Sequence, residues 1–423
     1  MRRKCHIAGG ILGVLGMVFW LTGCGGGGGG NGGDSNLSGT PVQVNIQNAQ
    51  WVAFQDGANG AWQTLSGAGS FSGAPRVTAA DGRYSVAYVC GGAKPTVRVV
   101  HTTLSESPQF SATCGGGASG TVSVSGSVQG LNGGQALVAI GETTTVSTGS
   151  YTLSVPTGFH DVIAVRLAGG VPNRIWLQRG RSFNNTTTYN IDFNQADGTI
   201  VRVLDVSSGT VNITGIDTSA NETVTALVLL QSAVRASVMG LGTAISDGAI
   251  ARYPIIPSGV LAAGESFRVR VVSSEGRGIE EVATTLSSSL TYALPAPFAG
   301  SSFSVTTAGA IVVSAEGFSY SESPVRGYLL ELSGDGQPAL YQIFLSRGWL
   351  GSRNRYETPV LSGLSGWNAG WTLVRGQRLD ASLRVLVAPD TVPISAIWSS
   401  LQGGYPPAGF QLRYATSRQS LNP

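Results

Sequence analysis

Short stretches in which apolar and polar side chains alternate recur along most of this chain. Examples lie at residues 42–46, 84–89, 122–124 and 267–271, and each is bounded by Gly, Asn, Asp, Ser or Pro. Successive side chains of a β-strand point to opposite faces of a sheet, so this period of two is typical of strands. Many short strands separated by frequent turn residues predict an all-β protein made of tandem β-sandwiches of Ig-like or transthyretin-like type.

Two segments leave the choice between helix and strand open. Residues 224–239 are apolar and follow an Asn-Glu pair, as a helix would, but they also divide into two strands, which is the interpretation we favour. Residues 394–401 are short and equally ambiguous. Because no other segment carries a helical period, the sequence predicts little helix.

Breaks in composition divide the chain beyond residue 40 into four predicted β-sandwich units, at residues 41–116, 117–197, 198–297 and 298–423. The last two could equally form one larger domain, since all-β domains of that length occur. Residues 115–120, which are rich in glycine, also fit the spacing G-x-G-x-x-G. A nucleotide-binding turn of that kind opens a helix, whereas the residues that follow alternate like a strand, so we interpret this break as a linker.

The second unit contains a more specific motif. Residues 149–158 are Gly-Ser-Tyr-Thr-Leu-Ser-Val-Pro-Thr-Gly, after two strand-like stretches and before a third. The first glycine and the Pro-x-Gly supply turns, and the Tyr, Leu and Val between them face the core. This pattern resembles the carboxypeptidase-regulatory-like or transthyretin-like β-sandwich modules of bacterial surface proteins. The resemblance implies a structural module without catalytic residues, and residues 81–86 of the first unit repeat part of the motif.

Residues 1–23 have the layout of a secretory signal peptide. A cationic start is followed by an apolar run, from about residue 7 to residue 21, that is too short for a comfortable membrane-spanning helix. The sequence Leu-Thr-Gly-Cys at residues 21–24 resembles the lipobox of bacterial lipoproteins, which implies cleavage before Cys24 and its acylation. In that class an Asp after the cysteine favours the inner membrane, so Gly25 favours the outer membrane. The alternative is a plain secretory signal with an incidental cysteine.

Residues 24–40 are rich in Gly, Ser, Asn and Asp and predict a flexible linker between the lipid anchor and the folded part. Removal of the signal peptide also takes away three basic residues, which lowers Lys+Arg from 26 to 23 and matches the 23 Asp+Glu. A nucleic-acid-binding protein needs a basic excess, so this formally neutral body argues against nucleic acid as a partner.

Cys90 and Cys114 are the two cysteines left without lipid after processing. In an oxidising compartment one such pair is most simply one disulfide. The pair lacks the C-x-x-C spacing of redox motifs, and no histidine lies nearby at metal-ligand spacing. We therefore expect a structural disulfide, with no metal and no cofactor.

Catalytic motifs are missing from the sequence. The histidines of the processed chain, His101 and His160, lie in different units, and neither a nucleophile elbow, a P-loop nor a zinc-protease motif is present. We expect both histidines at the surface or at a strand edge. A hydrolase that uses two carboxylates needs no motif, but Glu331, Asp335 and Glu357 are scattered candidates, so we expect no enzyme.

Aromatic residues offer the remaining lead. Trp367 and Trp371 lie close to Trp349 and Tyr356, and exposed indoles of this kind can stack on sugar rings. The alternative, which we favour, is that these tryptophans pack in the core or close one end of a sandwich. Arg174, Trp176, Arg179 and Arg181 form a second cluster, which either meets an acidic polymer or is the solvated face of a strand.

These observations predict a lipid-anchored cell-envelope protein whose β-sandwiches serve as a non-catalytic scaffold or interaction surface. Its expected partners are membrane lipid through Cys24 and an envelope protein or polysaccharide, and we expect a monomer. A carbohydrate-binding lipoprotein that uses Trp367 and Trp371 is the alternative function.

Overall fold

The structure is a computed structural model that describes residues 39–66, 69–115, 120–307 and 310–422. The predicted signal peptide, Cys24 and nearly all of the linker lie outside these ranges, as do residues 116–119 of the predicted break. Strands dominate the described residues, which confirms the all-β fold class. Among them, the helices are α1 (Arg347–Leu350), α2 (Ile394–Leu401) and 3-10 turns at Thr218–Ala220, Ser258–Val260 and Ala369–Trp371. No helix of the described ranges has the length and apolar character needed to span a membrane.

The strands up to residue 192 are β1 (Thr40–Pro41), β2 (Gln43–Asp56), β3 (Trp62–Ser66), β4 (Gly69–Gly73), β5 (Arg76–Val77), β6 (Arg83–Cys90), β7 (Thr96–Thr103), β8 (Gln109–Thr113), β9 (Thr121–Gln129), β10 (Gln135–Ile140), β11 (Thr143–Ser147), β12 (Ser150–Pro156), β13 (Gly158–Ala168), β14 (Val171–Phe183), β15 (Thr187–Thr188) and β16 (Ile191–Asp192). The strands that follow are β17 (Val201–Asp205), β18 (Ser207–Thr214), β19 (Val224–Gln231), β20 (Ala236–Ala244), β21 (Gly248–Ile255), β22 (Ser266–Ser273), β23 (Gly278–Ala283), β24 (Ser289–Ala293), β25 (Ser302–Thr306), β26 (Val312–Glu316), β27 (Val325–Ser333), β28 (Leu340–Ser346), β29 (Arg355–Glu357), β30 (Leu379–Val387) and β31 (Gln411–Leu421).

Strands β9 to β17 form a β-sandwich with its own core. One sheet has the order β11-β10-β13-β14-β17 and the other has the order β12-β9-β15, with β16 also paired to β9. Tyr151, Leu153 and Val155 of β12 alternate with exposed residues and pack in this core beside Trp176 and Phe193. The predicted orientation of the Tyr-Leu-Val motif is confirmed.

The outer face of the sheet that contains β13 is buried as well. Val162 and Ala164 of β13 belong to the core of this sandwich, whereas Ile163 and Val165 point the other way and pack against the strands that follow. That second core contains side chains from β18 to β23. Residues 224–239 supply two of these strands, the antiparallel hairpin of β19 and β20, so the two-strand interpretation is confirmed.

One 14-stranded sheet runs through most of the described chain. Its order is β20-β19-β22-β23-β31-β30-β27-β28-β7-β6-β2-β3, and β4 and β8 also pair with β2. At its centre β7 pairs in parallel with β28, from Thr96 opposite Leu340 to His101 opposite Leu345. This pair joins the predicted first and fourth units. The antiparallel pair of β23 and β31 joins the predicted third and fourth units within the same sheet.

The boundaries predicted at 116/117, 197/198 and 297/298 therefore do not separate independent domains, and residues 39–422 belong to one compact unit. The physical reason lies in the first predicted unit. Without the last one, β7 would be an unpaired sheet edge, and the apolar side chains of Ala87, Val89, Val97 and Val99 would face water instead of the shared core.

The central part of the long sheet is covered on both faces. A three-stranded sheet of β25, β26 and β29 contributes Phe303, Val313 and Tyr356 to the core on one face. Helix α2 contributes Ile397 and Trp398 to the core on the other. Residues 394–401, ambiguous in the sequence, are helical because this spacing buries one apolar side of a short helix.

The predicted disulfide between Cys90 and Cys114 is present, with 5.1 Å between the two Cα atoms. Cys90 ends β6 and Cys114 follows β8, and both strands pair with β2. The disulfide therefore connects the ends of β6 and β8, two strands that pair with successive parts of β2.

Candidate functional site

The predicted sugar-stacking tryptophans are not an exposed platform. Trp371 is 7% exposed, and Trp367 is partly buried against the same core. The two indoles meet edge to face at 5.4 Å between ring centroids, and Trp367 meets Trp51 in the same manner at 5.0 Å. Because the ring faces are turned toward other side chains, the core-packing interpretation replaces the glycan-stacking one for this pair.

The basic cluster on β14 is largely neutralised. Arg174 pairs with Asp205 at 2.7 Å, and Arg179 donates to Glu265 from Nη2 at 2.7 Å. Trp176 is buried in the core of the β9–β17 sandwich. These contacts assign the cluster to packing between strands rather than to an acidic polymer.

The three scattered carboxylates are not brought together. Glu331 accepts from Gln342 and pairs with Arg384 on the long sheet, and Asp335 lies in the turn that follows β27. Glu357 alone of the three lines the cleft described next. Among the described residues, no group of three or more His, Cys, Asp and Glu is arranged to hold a metal ion.

An open cleft of about 390 Å³ lies where the first and last predicted units meet. The turn between β2 and β3 forms one wall, and the segment from α1 through β29 forms the other. Its lining residues are Gln55, Ala58, Asn59, Trp62, His101, Trp349, Arg353, Arg355, Tyr356, Glu357, Pro359 and Val360. The parallel pairing of β7 with β28 is what brings these distant segments together.

His101 lies at the base of the cleft and is buried at 3% exposure, so the prediction that it lies at the surface or an edge is wrong. Its Nδ1 is 2.6 Å from Ser85 Oγ, and its Nε2 is 2.8 Å from the hydroxyl of Tyr356. Burial, and then the charge of Arg353, lower the pKa of His101 from 6.5 to about 3. The ring is therefore neutral at neutral pH, with one nitrogen donating and the other accepting. His160, in contrast, is partly exposed, with Nε2 2.7 Å from the carbonyl oxygen of Pro156.

The Ser85–His101–Tyr356 chain differs from a catalytic triad in two respects. The Nε2 of the imidazole contacts a phenol where a triad has a carboxylate, and a neutral phenol could not stabilise an imidazolium. Ser85 is fully buried on the strand behind the histidine. Burial also raises the pKa of Tyr356 well above 10.0, so the phenol keeps its proton. The chain therefore joins β6, β7 and β29 and fixes the base of the cleft.

The walls of the cleft combine aromatic rings with polar groups. Trp349 packs on His101 at 4.3 Å between ring centroids, and the guanidinium of Arg353 lies 5.0 Å from the Trp349 ring centroid. The buried Trp349 Nε1 has no hydrogen-bond acceptor within the described part of the chain. Arg355 pairs with both Glu316 and Glu357 at the rim.

Sequence reasoning missed most of this site. In the sequence, Trp349 and Tyr356 stand out only as neighbours of the two other tryptophans, and no motif marks Trp62 or Arg353. A local pattern could not have found them, because the cleft depends on a strand pair between segments 244 positions apart, Thr96 with Leu340.

Comparison with known proteins shows no family for this chain. No protein-family model matches it, and no curated protein matches it. Among solved structures, a Ca2+-stabilised adhesin that helps an Antarctic bacterium bind ice is similar at 12% identity, covering 89% of this chain and 90% of the adhesin, with a TM-score of 0.16. The FN1-FN3 domains of chicken CNTN1 are similar at 10% identity, over 68% of this chain and 90% of theirs, with a TM-score of 0.17.

A tetra-tandem repeat from the extending region of a large adhesion protein is also similar, at 10% identity over 90% of this chain and 99% of that one, with a TM-score of 0.13. TM-scores this low carry no argument about how the strands are arranged or about function.

Proposed function

We propose that this protein is a lipid-anchored envelope protein that binds a saccharide in the cleft between the β2–β3 turn and the α1–β29 segment. The observation that carries the proposal is the cleft itself, whose walls combine the aromatic rings of Trp62, Trp349 and Tyr356 with polar side chains.

The anchoring half of the proposal is supported by the sequence at residues 1–24. The apolar run and the lipobox-like residues before Cys24 favour export and acylation at that cysteine. Several acyl chains on one residue give stable attachment, since each buried CH₂ contributes about 0.8 kcal/mol. A non-catalytic scaffold on such an anchor would hold its cleft at the membrane surface.

The choice of a saccharide is supported by the chemistry of the cleft. Trp62 is partly exposed and offers an aromatic surface, while Gln55, Asn59 and the Arg355–Glu357 pair can exchange hydrogen bonds with hydroxyl groups. A volume of about 390 Å³ lies within the range of roughly 300–1,000 Å³ found for small-molecule sites. The saccharide would therefore contact this cleft and not Trp367 and Trp371, which pack with the core.

Membrane fractionation of cells that express the full chain tests the anchor. The wild-type protein is expected in the membrane fraction, and Cys24→Ser is expected in the soluble envelope fraction. An unchanged distribution in the variant would contradict the role of Cys24.

Binding to immobilised envelope polysaccharide tests the cleft. The wild-type protein and Trp371→Ala are expected to bind, whereas Trp62→Ala is expected to lose most of the affinity. Equal retention of all three proteins, or of none, would contradict the proposed site.

A further inference from the structure

We propose that the cleft selects saccharides that carry a carboxylate, and that Arg353 binds this carboxylate. The inference rests on the proposed function and adds the class of ligand and the residue that distinguishes it from neutral sugars.

Within the part of the chain that the structure describes, Arg353 forms no salt bridge with an acidic residue, unlike its neighbours Arg83 and Arg355. Arg83 pairs with Asp81 at 3.0 Å, and Arg355 pairs with Glu316 at 3.0 Å. For Arg353, the contact observed within the described ranges is its guanidinium over the ring of Trp349. The cation is thus held at the cleft by an aromatic face, with its hydrogen-bond donors left for a ligand.

The surroundings of Arg353 make this free cation unfavourable in the empty cleft. Burial, and then the like charge of Arg83, lower its pKa, and the charge of Asp81 opposes this only in part. A partly desolvated charge without a partner is costly, and an anion placed beside it restores the lost stabilisation. The cleft is therefore electrostatically prepared for a negative ligand.

The rest of the lining favours one negative charge on a sugar over a more highly charged group. The charged residues that line the cleft are Arg353, Arg355 and Glu357, and Arg355 pairs with Glu357, so one positive charge is left to match one negative charge on a ligand. A planar carboxylate matches the planar fork of a guanidinium and can accept two parallel hydrogen bonds from it. Trp62 remains for the ring of the same ligand.

Titration calorimetry on the full chain tests the inference with matched acidic and neutral disaccharides. The probes are digalacturonate with galactobiose, and cellobiouronate with cellobiose. We expect the wild-type protein to bind at least one acid about tenfold more tightly than its neutral counterpart at low salt, since one charge-assisted contact contributes about that factor. This preference is expected to fall as salt is added.

Arg353→Gln is expected to bind the acidic and the neutral member of a pair with equal affinity. Arg378→Gln is the matched control, because Arg378 is an exposed arginine that does not line the cleft, and it is expected to keep the preference. A wild-type protein that binds acid and neutral sugars equally, or an Arg353→Gln variant that keeps the preference, would overturn the inference and leave the proposed function standing. Failure of all four probes to bind would overturn both.

Discussion

Acidification is expected to destabilise this protein through His101. The pKa of the buried imidazole is lowered from 6.5 to about 3, first by burial and then by the charge of Arg353. Between about pH 6.5 and pH 3 the imidazole is therefore protonated in the unfolded chain and neutral in the folded chain. The contribution of His101 to the free energy of unfolding is complete above about pH 6.5 and is lost as the pH falls toward about 3. Between about pH 7 and pH 4 the free energy of unfolding should fall by about 3 kcal/mol from this group.

Urea denaturation followed by tryptophan fluorescence measures this loss at both pH values. In His101→Gln the new side chain still forms hydrogen bonds but cannot titrate, and the variant is expected to be less stable than the wild type at neutral pH. On acidification, its free energy of unfolding should fall by about 3 kcal/mol less than that of the wild type. His160→Gln is the control, because that side chain is partly exposed and bonded to a backbone carbonyl, and it should behave like the wild type. Equal losses in the wild type and in His101→Gln would refute the assignment of a neutral histidine at the base of the cleft.

Three further changes test contacts outside the cleft, which are the disulfide, the buried ion pair of Glu222 with Arg277 and the buried indole of Trp371. Replacing Cys90 and Cys114 by serine should lower the free energy of unfolding by about 3 kcal/mol in urea, because the unfolded chain regains the freedom of the closed loop. Glu222→Gln should lower thermal stability by about 3–5 kcal/mol, because Arg277 would keep a buried charge without its partner. Trp371→Ala should cost about 3–5 kcal/mol in urea while saccharide affinity stays unchanged, because this indole fills the core and does not line the cleft.

The sequence predicts strands well where one face of a strand is buried and the other is exposed. In β12 the side chains of Tyr151, Leu153 and Val155 are buried and their neighbours are exposed, so local alternation alone indicates the core-facing side. The hairpin of β19 and β20 was predictable for a similar reason, since its two strands are neighbours in the chain.

The sequence does not predict how distant strands pair. β6 and β7 are largely buried on both faces because they lie in the middle of a layered structure, but their residues alternate like those of a strand in a small sandwich. Nothing local indicates that Thr96 pairs with Leu340. Local patterns therefore predict four separate units and do not indicate the cleft between the first and the last.

His101 shows the same limit on a single residue. A lone polar residue in an alternating strand usually faces water, whereas here Ser85 and Tyr356 come from other strands and satisfy both ring nitrogens. Its burial follows from those partners, which the local sequence does not reveal.

Hydrogen exchange on the full chain, with and without digalacturonate, tests most directly whether two segments far apart in the sequence form one binding site. Bound ligand is expected to slow exchange together at residues 57–62 and 353–360, which line opposite walls of the cleft. Protection confined to one of these segments, or located instead at residues 365–372, would contradict a cleft built from both segments.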